Sequence, residues 1–184
     1  MREGRTKPLL SEATKAWIAA ILWLTLIVIE SSGTFSSENT GRFLYPLLHF
    51  LFGVDLFHFP IWHFLLRKTG HVIGYGALSI FLFRAWRATI PVAGRDHWSL
   101  VWARIAFFMT ALVASLDEWH QSFLPSRTGS IRDVALDSAA AIVAQVLLYL
   151  VLRGWGAPTR ESTPINEEKS TTREQEDAQA AIVK

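Results

Sequence analysis

The stretch that decides the fold runs from Trp98 to Leu152 and reads WSLVWARIAFFMTALVASL-DEWHQSFLPSRTGSIR-DVALDSAAAIVAQVLLYLVL. Two apolar segments, Trp98–Leu116 and Asp133–Leu152, flank a polar run at Asp117–Arg132. Each segment approaches the roughly 20 residues that cross a hydrocarbon core of about 30 Å as a helix. Arg104 is the one charged residue within the first segment. The pattern therefore predicts two membrane-spanning helices joined by a polar turn.

Two more apolar segments lie upstream, at Ala16–Ile29 and Lys68–Phe83. The first is short for a span, but its flanks can complete it by local thinning of the bilayer. We expect it to be retained as an anchor and not cleaved as a signal peptide, because no small-x-small cleavage site follows it. The second contains Gly70 and Gly74, a spacing of small residues that lets two helices approach closely. The sequence therefore predicts four spans.

The segment Phe43–Leu66, between the first two predicted spans, is aromatic and apolar, but Pro46, Gly53, Asp55 and Pro60 interrupt it. The two prolines disfavour one straight helix, because each lacks a backbone N–H. Aromatic residues are enriched where a membrane meets water. The segment therefore predicts an interfacial amphipathic element of one or two short helices.

These segments predict an all-α membrane protein, a four-helix transmembrane bundle with an interfacial element between its first two spans. Of its 184 residues 51% are hydrophobic, including 8 Trp and 12 Phe, which indicates lipid as the solvent. We expect a cytoplasmic N-terminal segment at 1–15, the membrane domain at 16–152 and a disordered cytoplasmic tail at 153–184, which is rich in Glu, Lys, Ser, Thr and Gln.

The distribution of Lys and Arg predicts the orientation. Thirteen of the 18 basic residues lie on the side of the two termini. The positive-inside rule therefore predicts that both termini are cytoplasmic in a plasma membrane. Five basic residues lie on the opposite, outer side: Arg42, Arg67, Lys68, Arg127 and Arg132.

Composition also excludes several classes of function. The chain has no Cys, which excludes disulfides, thiolate catalysis and cysteine-based metal sites. The sequence pI near 9.2 is compatible with nucleic-acid binding. The basic residues, however, flank apolar segments and form no single soluble patch, so we expect no nucleic-acid partner.

Ionisable and polar side chains gather at the outer ends of the predicted spans. Because such groups are costly at membrane depth, we expect them to turn inward and pair. The cytoplasmic ends lack a comparable mixture of acids, bases and histidines. The members of this group are Glu30, Arg67, Lys68, His71, Asp117, Glu118, His120, Gln121, Arg127, Arg132, Asp133 and Asp137.

Helical spacing sorts these residues onto faces. Lys68, His71 and Tyr75 stand at i, i+3 and i+7 and therefore share one face of the second span. By the same rule two further sets share a face, Asp117, His120 and Gln121 on the third span, and Asp133, Asp137 and Gln145 on the fourth.

The third span ends in Asp117-Glu118-Trp119-His120-Gln121, continues as Leu124-Pro125-Ser126-Arg127-Thr128-Gly129-Ser130, and leads to Asp133 and Asp137. This arrangement resembles the VanZ-like family, whose pattern is an Asp-Glu-x-x-Gln, a Pro-Gly-Arg turn and two aspartates four residues apart. Lys68-x-x-His71-x-x-x-Tyr75 and Glu30-Ser31 match its earlier motifs, so the resemblance covers about Trp17–Leu152. The chain departs from the pattern at Ser126, and at Ala140 and Ala141, where glycine is usual.

The resemblance implies a link to the cell envelope and to antibiotic resistance, because the founding member of that family is linked to resistance against the glycopeptide teicoplanin. Together with four of the five outer basic residues, Arg67, Lys68, Arg127 and Arg132, this favours a site for an anionic amphiphile, either a cell-envelope lipid or a glycopeptide, in contact with the bilayer. The expected ligand-binding residues are Arg67, Lys68, His71, Tyr75, Asp117, Glu118, Gln121, Arg127, Asp133 and Asp137.

Two other hypotheses stay open. The cluster could be a structural network that only holds the helices together. It could also be the centre of a membrane-embedded enzyme, with His71 and His120 as general acid and base and Asp117 or Glu118 orienting them. A metal site from His71, His120, Asp117 and Asp137 lacks a tight ligand motif, so we expect no metal and no cofactor. The sequence does not predict the oligomeric state.

Overall fold

The structure, a computed structural model, describes residues 10–32, 37–93, 97–125 and 129–155. All regular structure in these ranges is α-helical, as the sequence predicts. The five helices are α1 (Glu12–Ser31), α2 (Ser37–Phe52), α3 (Phe59–Thr89), α4 (Leu100–Gln121) and α5 (Ile131–Trp155).

The long helix α3 lies at the centre of the packing. It contacts α1, α4 and α5, and α4 in turn packs against α5, whereas α2 touches only α3 with a small contact. The buried core between these helices includes Tyr75, Leu78, Phe83, Trp102 and Ala106. Every element that carries a predicted site residue therefore packs against α3.

Three helices, α1, α4 and α5, are long and apolar enough to cross a membrane. Their outward faces carry large apolar side chains, such as Leu22 on α1 (61% exposed), Leu112 on α4 (59%) and Leu147 on α5 (57%). α3 is longer but is not among these three. Its polar and charged residues, Arg67, Lys68, His71, Arg84 and Arg87, lower its hydropathy.

The helix that contains the predicted second span, Lys68–Phe83, begins nine residues earlier, at Phe59. The predicted interfacial element, Phe43–Leu66, is therefore divided between α2 and the first turns of α3. Pro60 lies in the first turn of α3, where its missing N–H would have no helical partner. Pro46 lies inside α2.

The break between α2 and α3 is built from local hydrogen bonds. Gly53, just past the end of α2, has φ +67°, a left-handed conformation that glycine adopts without strain. Asp55 Oδ1 accepts from the backbone N–H of His58 and lies 2.8 Å from Nδ1 of that residue. These hydrogen bonds lower the pKa of Asp55, and they fix the entry into α3.

Capping residues set helix ends that hydropathy alone leaves open. Ser11 accepts from the backbone N–H of Thr14, so α1 begins at Glu12, four residues before the predicted segment. Ser99 caps α4 in the same way by accepting from the backbone N–H of Val101. At its other end α4 continues through the polar residues to Gln121.

Small residues bring the helices into close contact. A Cβ on Gly76 of α3 would lie 3.7 Å from both the Ala140 carbonyl oxygen and the Ala144 Cβ of α5. On the α1 side, the Trp23 indole N–H donates to the Gly74 carbonyl oxygen at 2.8 Å. Such close approach is the packing that small residues permit.

The predicted termini fall largely outside the described residues. The N-terminal segment, 1–15, is described only from Leu10 onward, and α5 continues to Trp155, three residues past the predicted end of the membrane domain. Residues 156–184 of the predicted tail lie outside the described ranges.

Candidate functional site

The last residue of α1, the first half of α3, the end of α4 and the start of α5 meet at one end of the molecule. There Lys68 Nζ of α3 forms an ion pair with Asp133 Oδ1 of α5. Their side chains are 28% and 23% exposed, so this pair is largely withdrawn from the surface.

One helical turn further along α3, His71 faces Asp137 of α5. Nδ1 of His71 lies 3.3 Å from Oδ2 of Asp137, whose side chain is completely buried. The other carboxylate oxygen, Oδ1, has no hydrogen-bond partner in the described part of the chain. A buried carboxylate oxygen without a partner is costly and needs a physical explanation.

Asp117 of α4 is held by two donors. The Tyr75 hydroxyl donates to its Oδ2 at 2.8 Å, and the Gln121 side-chain amide donates to the same oxygen at 3.0 Å. The amide of Gln121 also reaches Ser31 Oγ at the end of α1, at 3.0 Å. This network joins α1, α3 and α4 through polar side chains.

Glu118 is 4% exposed and lies under the turn that leads into α5. The backbone N–H of Ser130 donates to its Oε2 at 2.7 Å, whereas Oε1 has no partner among the described residues. The turn lies so close that a Cβ on Gly129 would overlap the Glu118 carbonyl oxygen and lie 3.1 Å from the Ser122 backbone nitrogen. Glycine is therefore required at this position.

A small cavity of about 20 Å³ lies between this network and α1. It holds room for about one water molecule. Its lining combines small or apolar residues with polar groups from α1, α3 and α4: Ile27, Glu30, Ser31, Gly70, His71, Gly74, Tyr75, Asp117 and Gln121.

A larger cavity of about 570 Å³ lies between α2, α3 and the end of α1. Its α2 wall is largely apolar, with Phe43, Leu44 and Leu47. The rest of its lining comes from the start of α2, from α3 and from the end of α1, and it carries ionisable and polar groups together with one leucine: Glu30, Asn39, Thr40, His63, Leu66, Arg67 and His71. His71 borders both cavities, so the larger one lies directly beside the polar cluster.

Most of the residues that helical spacing placed on one face of a predicted span do take part in contacts of this cluster. Lys68, His71 and Tyr75 each contact a different aspartate on α4 or α5. Nine of the ten expected ligand-binding residues lie at this end, and the tenth, Arg127, lies outside the described residues. His120, which the enzyme hypothesis pairs with His71, is exposed, and Arg132 is exposed as well.

Three residues that the sequence analysis did not place in the polar cluster also belong to this region. Ser31 accepts from Gln121, Thr40 Oγ1 lies 3.1 Å from His63 Nε2, and His63 lines the larger cavity. The spacing of His63, Arg67 and His71 at i, i+4 and i+8 could have revealed that they share one face of a single helix.

The grouping of potential metal ligands differs from the one considered from the sequence. Side-chain ligand atoms of His71, Glu118 and Asp137 all lie within 4.8 Å of one another. In the earlier grouping, His120 and Asp117 stood in place of Glu118. Asp117 instead accepts from Tyr75 and Gln121.

Comparison with known proteins supports the resemblance drawn from the motifs. No curated protein and no solved structure matches the chain. The profile of the family described as VanZ/LLP1 matches residues 16–153, which include all five helices except their outermost residues. The chain therefore belongs to the VanZ/LLP1 family.

Proposed function

We propose that this protein is a four-span protein of the plasma membrane, with cytoplasmic termini, that binds an anionic amphiphile at the outer membrane face. α3 is the fourth span, and α2 lies at the interface beside it. The observation that carries the binding proposal is the 570 Å³ cavity between α2 and α3, which is apolar along one wall and charged at its end. An amphiphile has this same division between a chain and a headgroup.

The apolar wall suits the chain of the ligand. Phe43, Leu47 and the neighbouring residues of α2 expose large apolar side chains, with Phe43 at 82%. Where this surface faces water at the interface, burying it against an acyl or polyprenyl chain contributes about 25 cal/mol per Å². Because α2 packs only slightly on α3, there is space between the two helices for the apolar tail of the ligand.

Arg67 suits the headgroup. It lines the cavity and is half-buried, and no described carboxylate lies within ion-pair distance of it. Lys68, by contrast, is engaged by Asp133. A guanidinium offers a planar fork of donors that matches a phosphate or carboxylate group. We therefore assign the headgroup contact to Arg67, with His71 and His63 beside it.

This assignment divides the residues expected to bind ligand. Lys68 bonds to Asp133 and Tyr75 bonds to Asp117 across helix contacts, and Gln121 bonds to Asp117 and to Ser31 of α1. These contacts favour a structural role for the five expected ligand-binding residues among them. Arg67 and His71 border the cavity, which favours ligand contact. The structural hypothesis therefore describes one part of the cluster, and the binding hypothesis describes another.

The ligand class follows from the family. Because the founding VanZ-like protein is linked to teicoplanin resistance, we propose a lipid-linked cell-envelope molecule as the ligand. A glycopeptide is the alternative, and its lipid-bearing forms share the same division between chain and charge. A contribution to glycopeptide resistance is part of this proposal.

The test measures binding of a polyprenyl phosphate to the full chain in nanodiscs of neutral lipid, by intrinsic tryptophan fluorescence or native mass spectrometry. We expect Arg67→Gln to weaken binding at least tenfold, which corresponds to about 1.4 kcal/mol. The matched control is Arg104→Gln, since Arg104 is an exposed arginine near the opposite end of the bundle. We expect that variant to bind as the wild type does.

Two results would contradict the proposal. Equal affinity of Arg67→Gln and the wild type would remove Arg67 from the site. Absence of saturable binding by well-folded wild type would refute amphiphile binding and favour the structural role. Teicoplanin in the same assay separates the two ligand classes, and teicoplanin susceptibility of cells at equal membrane abundance tests the resistance role.

A further inference from the structure

We infer that His71, Glu118 and Asp137 form a binding site for a divalent transition-metal cation, of the class of Zn²⁺ or Mn²⁺. The three residues come from α3, α4 and α5 and offer one imidazole nitrogen and two carboxylate oxygens. One ligand atom from each lies within 4.8 Å of the others. Imidazole with carboxylates is a donor set that these cations accept.

The unsatisfied oxygens are the second, independent observation. Asp137 is 0% exposed and Glu118 is 4% exposed, yet each has a carboxylate oxygen without a partner in the described part of the chain. Buried charge is tolerated when it is paired or when it coordinates a metal. The cation Lys68 is engaged by Asp133, not by either of these acids.

The distances between the three ligand atoms are compatible with coordination of one ion if the side chains move slightly closer together. His71 Nδ1 and Asp137 Oδ2 are 3.3 Å apart. Two ligands of one tetrahedral ion, with bonds of about 2.1 Å, lie about 3.4 Å apart. All three ligand atoms lie within 4.8 Å of one another, so bringing the widest pair to about 3.4 Å needs a closure of at most about 1.4 Å.

Three protein ligands leave at least one coordination position for water or for an oxygen of a bound molecule, as in open metal sites. Of the three ligands, His71 also borders the 570 Å³ cavity. The inference goes beyond amphiphile binding and does not depend on it.

The test uses the full chain in neutral detergent, without any anionic amphiphile, after removal of metals by a chelator. Zn²⁺, Mn²⁺ and Co²⁺ are then titrated separately, and bound metal is measured by mass spectrometry after desalting. We expect about one equivalent of Zn²⁺ or Mn²⁺ per chain, with a Kd below about 10 μM. Bound Co²⁺ should show a visible absorption band that reports direct coordination.

Isosteric variants assign the ligands. We expect Asp137→Asn and Glu118→Gln each to weaken binding at least tenfold and to abolish the Co²⁺ band. The matched control is Asp55→Asn, because Asp55 and His58 form an exposed carboxylate–histidine pair 2.8 Å apart, outside the cluster. This variant should retain the full equivalent of metal.

Circular dichroism and elution volume show whether each variant folds, and His71→Gln replaces any variant that does not. The wild-type titration alone can overturn the inference. Well-folded wild type that binds no stoichiometric metal would refute the metal site. Loss of binding in Asp55→Asn equal to that in Asp137→Asn would show adventitious surface binding.

Discussion

At the scale of single residues, the ion pair between Lys68 and Asp133 shows most directly how the cluster joins α3 to α5. Both side chains are largely buried, so little water screens their interaction. Removing one partner leaves the other charge buried without compensation, which costs more than the pair itself contributes. A double-mutant cycle is needed to separate the interaction energy of the pair from the cost of leaving one charge buried alone.

We predict that Lys68→Ala and Asp133→Ala are each destabilising and that the double variant is less so than their sum. The coupling free energy should be about 0.5–3 kcal/mol, the range for directly interacting residues. The measurement is unfolding of the purified chain in mixed micelles, followed by circular dichroism.

The control cycle is Glu12→Ala with Lys15→Ala. Glu12 and Lys15 form an exposed ion pair in the first turn of α1, 2.8 Å apart. Exposed pairs are screened by solvent, so this cycle should show no measurable coupling. Equal coupling in the two cycles would contradict the assignment of Lys68 to a largely buried contact.

At the same scale, sequence spacing predicted contacts that are local to one helix face. Lys68, His71 and Tyr75 contact acids on α4 and α5, as their i, i+3 and i+7 spacing indicates. Spacing could not show that His120 is exposed while Glu118 is buried, because that depends on how α4 is rotated against its neighbours. Rotation is a property of packing between helices.

At the scale of elements, helix types were predictable and several helix boundaries were not. From hydropathy, the interfacial element was predicted to end at Leu66 and the second span to begin at Lys68. His63 and His71 were therefore predicted to lie on different elements. In the structure both lie on α3, because Pro60 stands in its first turn and does not interrupt it. A proline near a helix start permits the helix, whereas one in its interior disfavours it.

The contact between α3 and α5 gives the prediction for this scale. Gly76 faces the backbone of α5, with the Ala140 carbonyl oxygen 3.7 Å from where a Cβ would lie. In Gly76→Ile the side-chain atoms beyond Cβ would overlap the backbone of α5. We therefore expect the free energy of unfolding to fall by about 1–3 kcal/mol. The measurement is thermal unfolding in detergent, followed by circular dichroism.

The matched control is Ala88→Ile, an exposed position near the end of the same helix. It adds a similar volume where nothing is displaced, so stability should change little. Gly76→Ala should also be tolerated, since 3.7 Å is ordinary van der Waals contact. Equal tolerance of Gly76→Ile and Ala88→Ile would refute the close approach of α3 and α5.

At the scale of the whole molecule, the path of α3 decides how many spans there are. α1 and α3 lie antiparallel along most of α1. The Trp17 indole N–H donates to Thr89 Oγ1 at one end of this contact, at 2.9 Å, and Trp23 donates to Gly74 further along. If α1 crosses the bilayer, the part of α3 between these contacts lies at the same depth.

The bilayer crossing of α3 can be tested by cysteine labelling, because the chain contains no Cys that would react in the background. Four spans with cytoplasmic termini place Asp55 and Phe123 outside and Ala93 inside. In intact cells we therefore expect a membrane-impermeant maleimide to label Asp55→Cys and Phe123→Cys, and Ala93→Cys only after permeabilisation. All three side chains are exposed, so access within the protein does not limit the reaction.

The pattern of labelling distinguishes three arrangements. If α3 lay along the surface, Asp55→Cys and Ala93→Cys would react from the same side, and the four-span proposal would fail. If all three positions reacted with the opposite polarity, the four spans would stand but the cluster would face the cytoplasm. An outer-leaflet or glycopeptide ligand would then be excluded, whereas the metal site of His71, Glu118 and Asp137 would be unaffected, because it depends on the packing of α3, α4 and α5 alone.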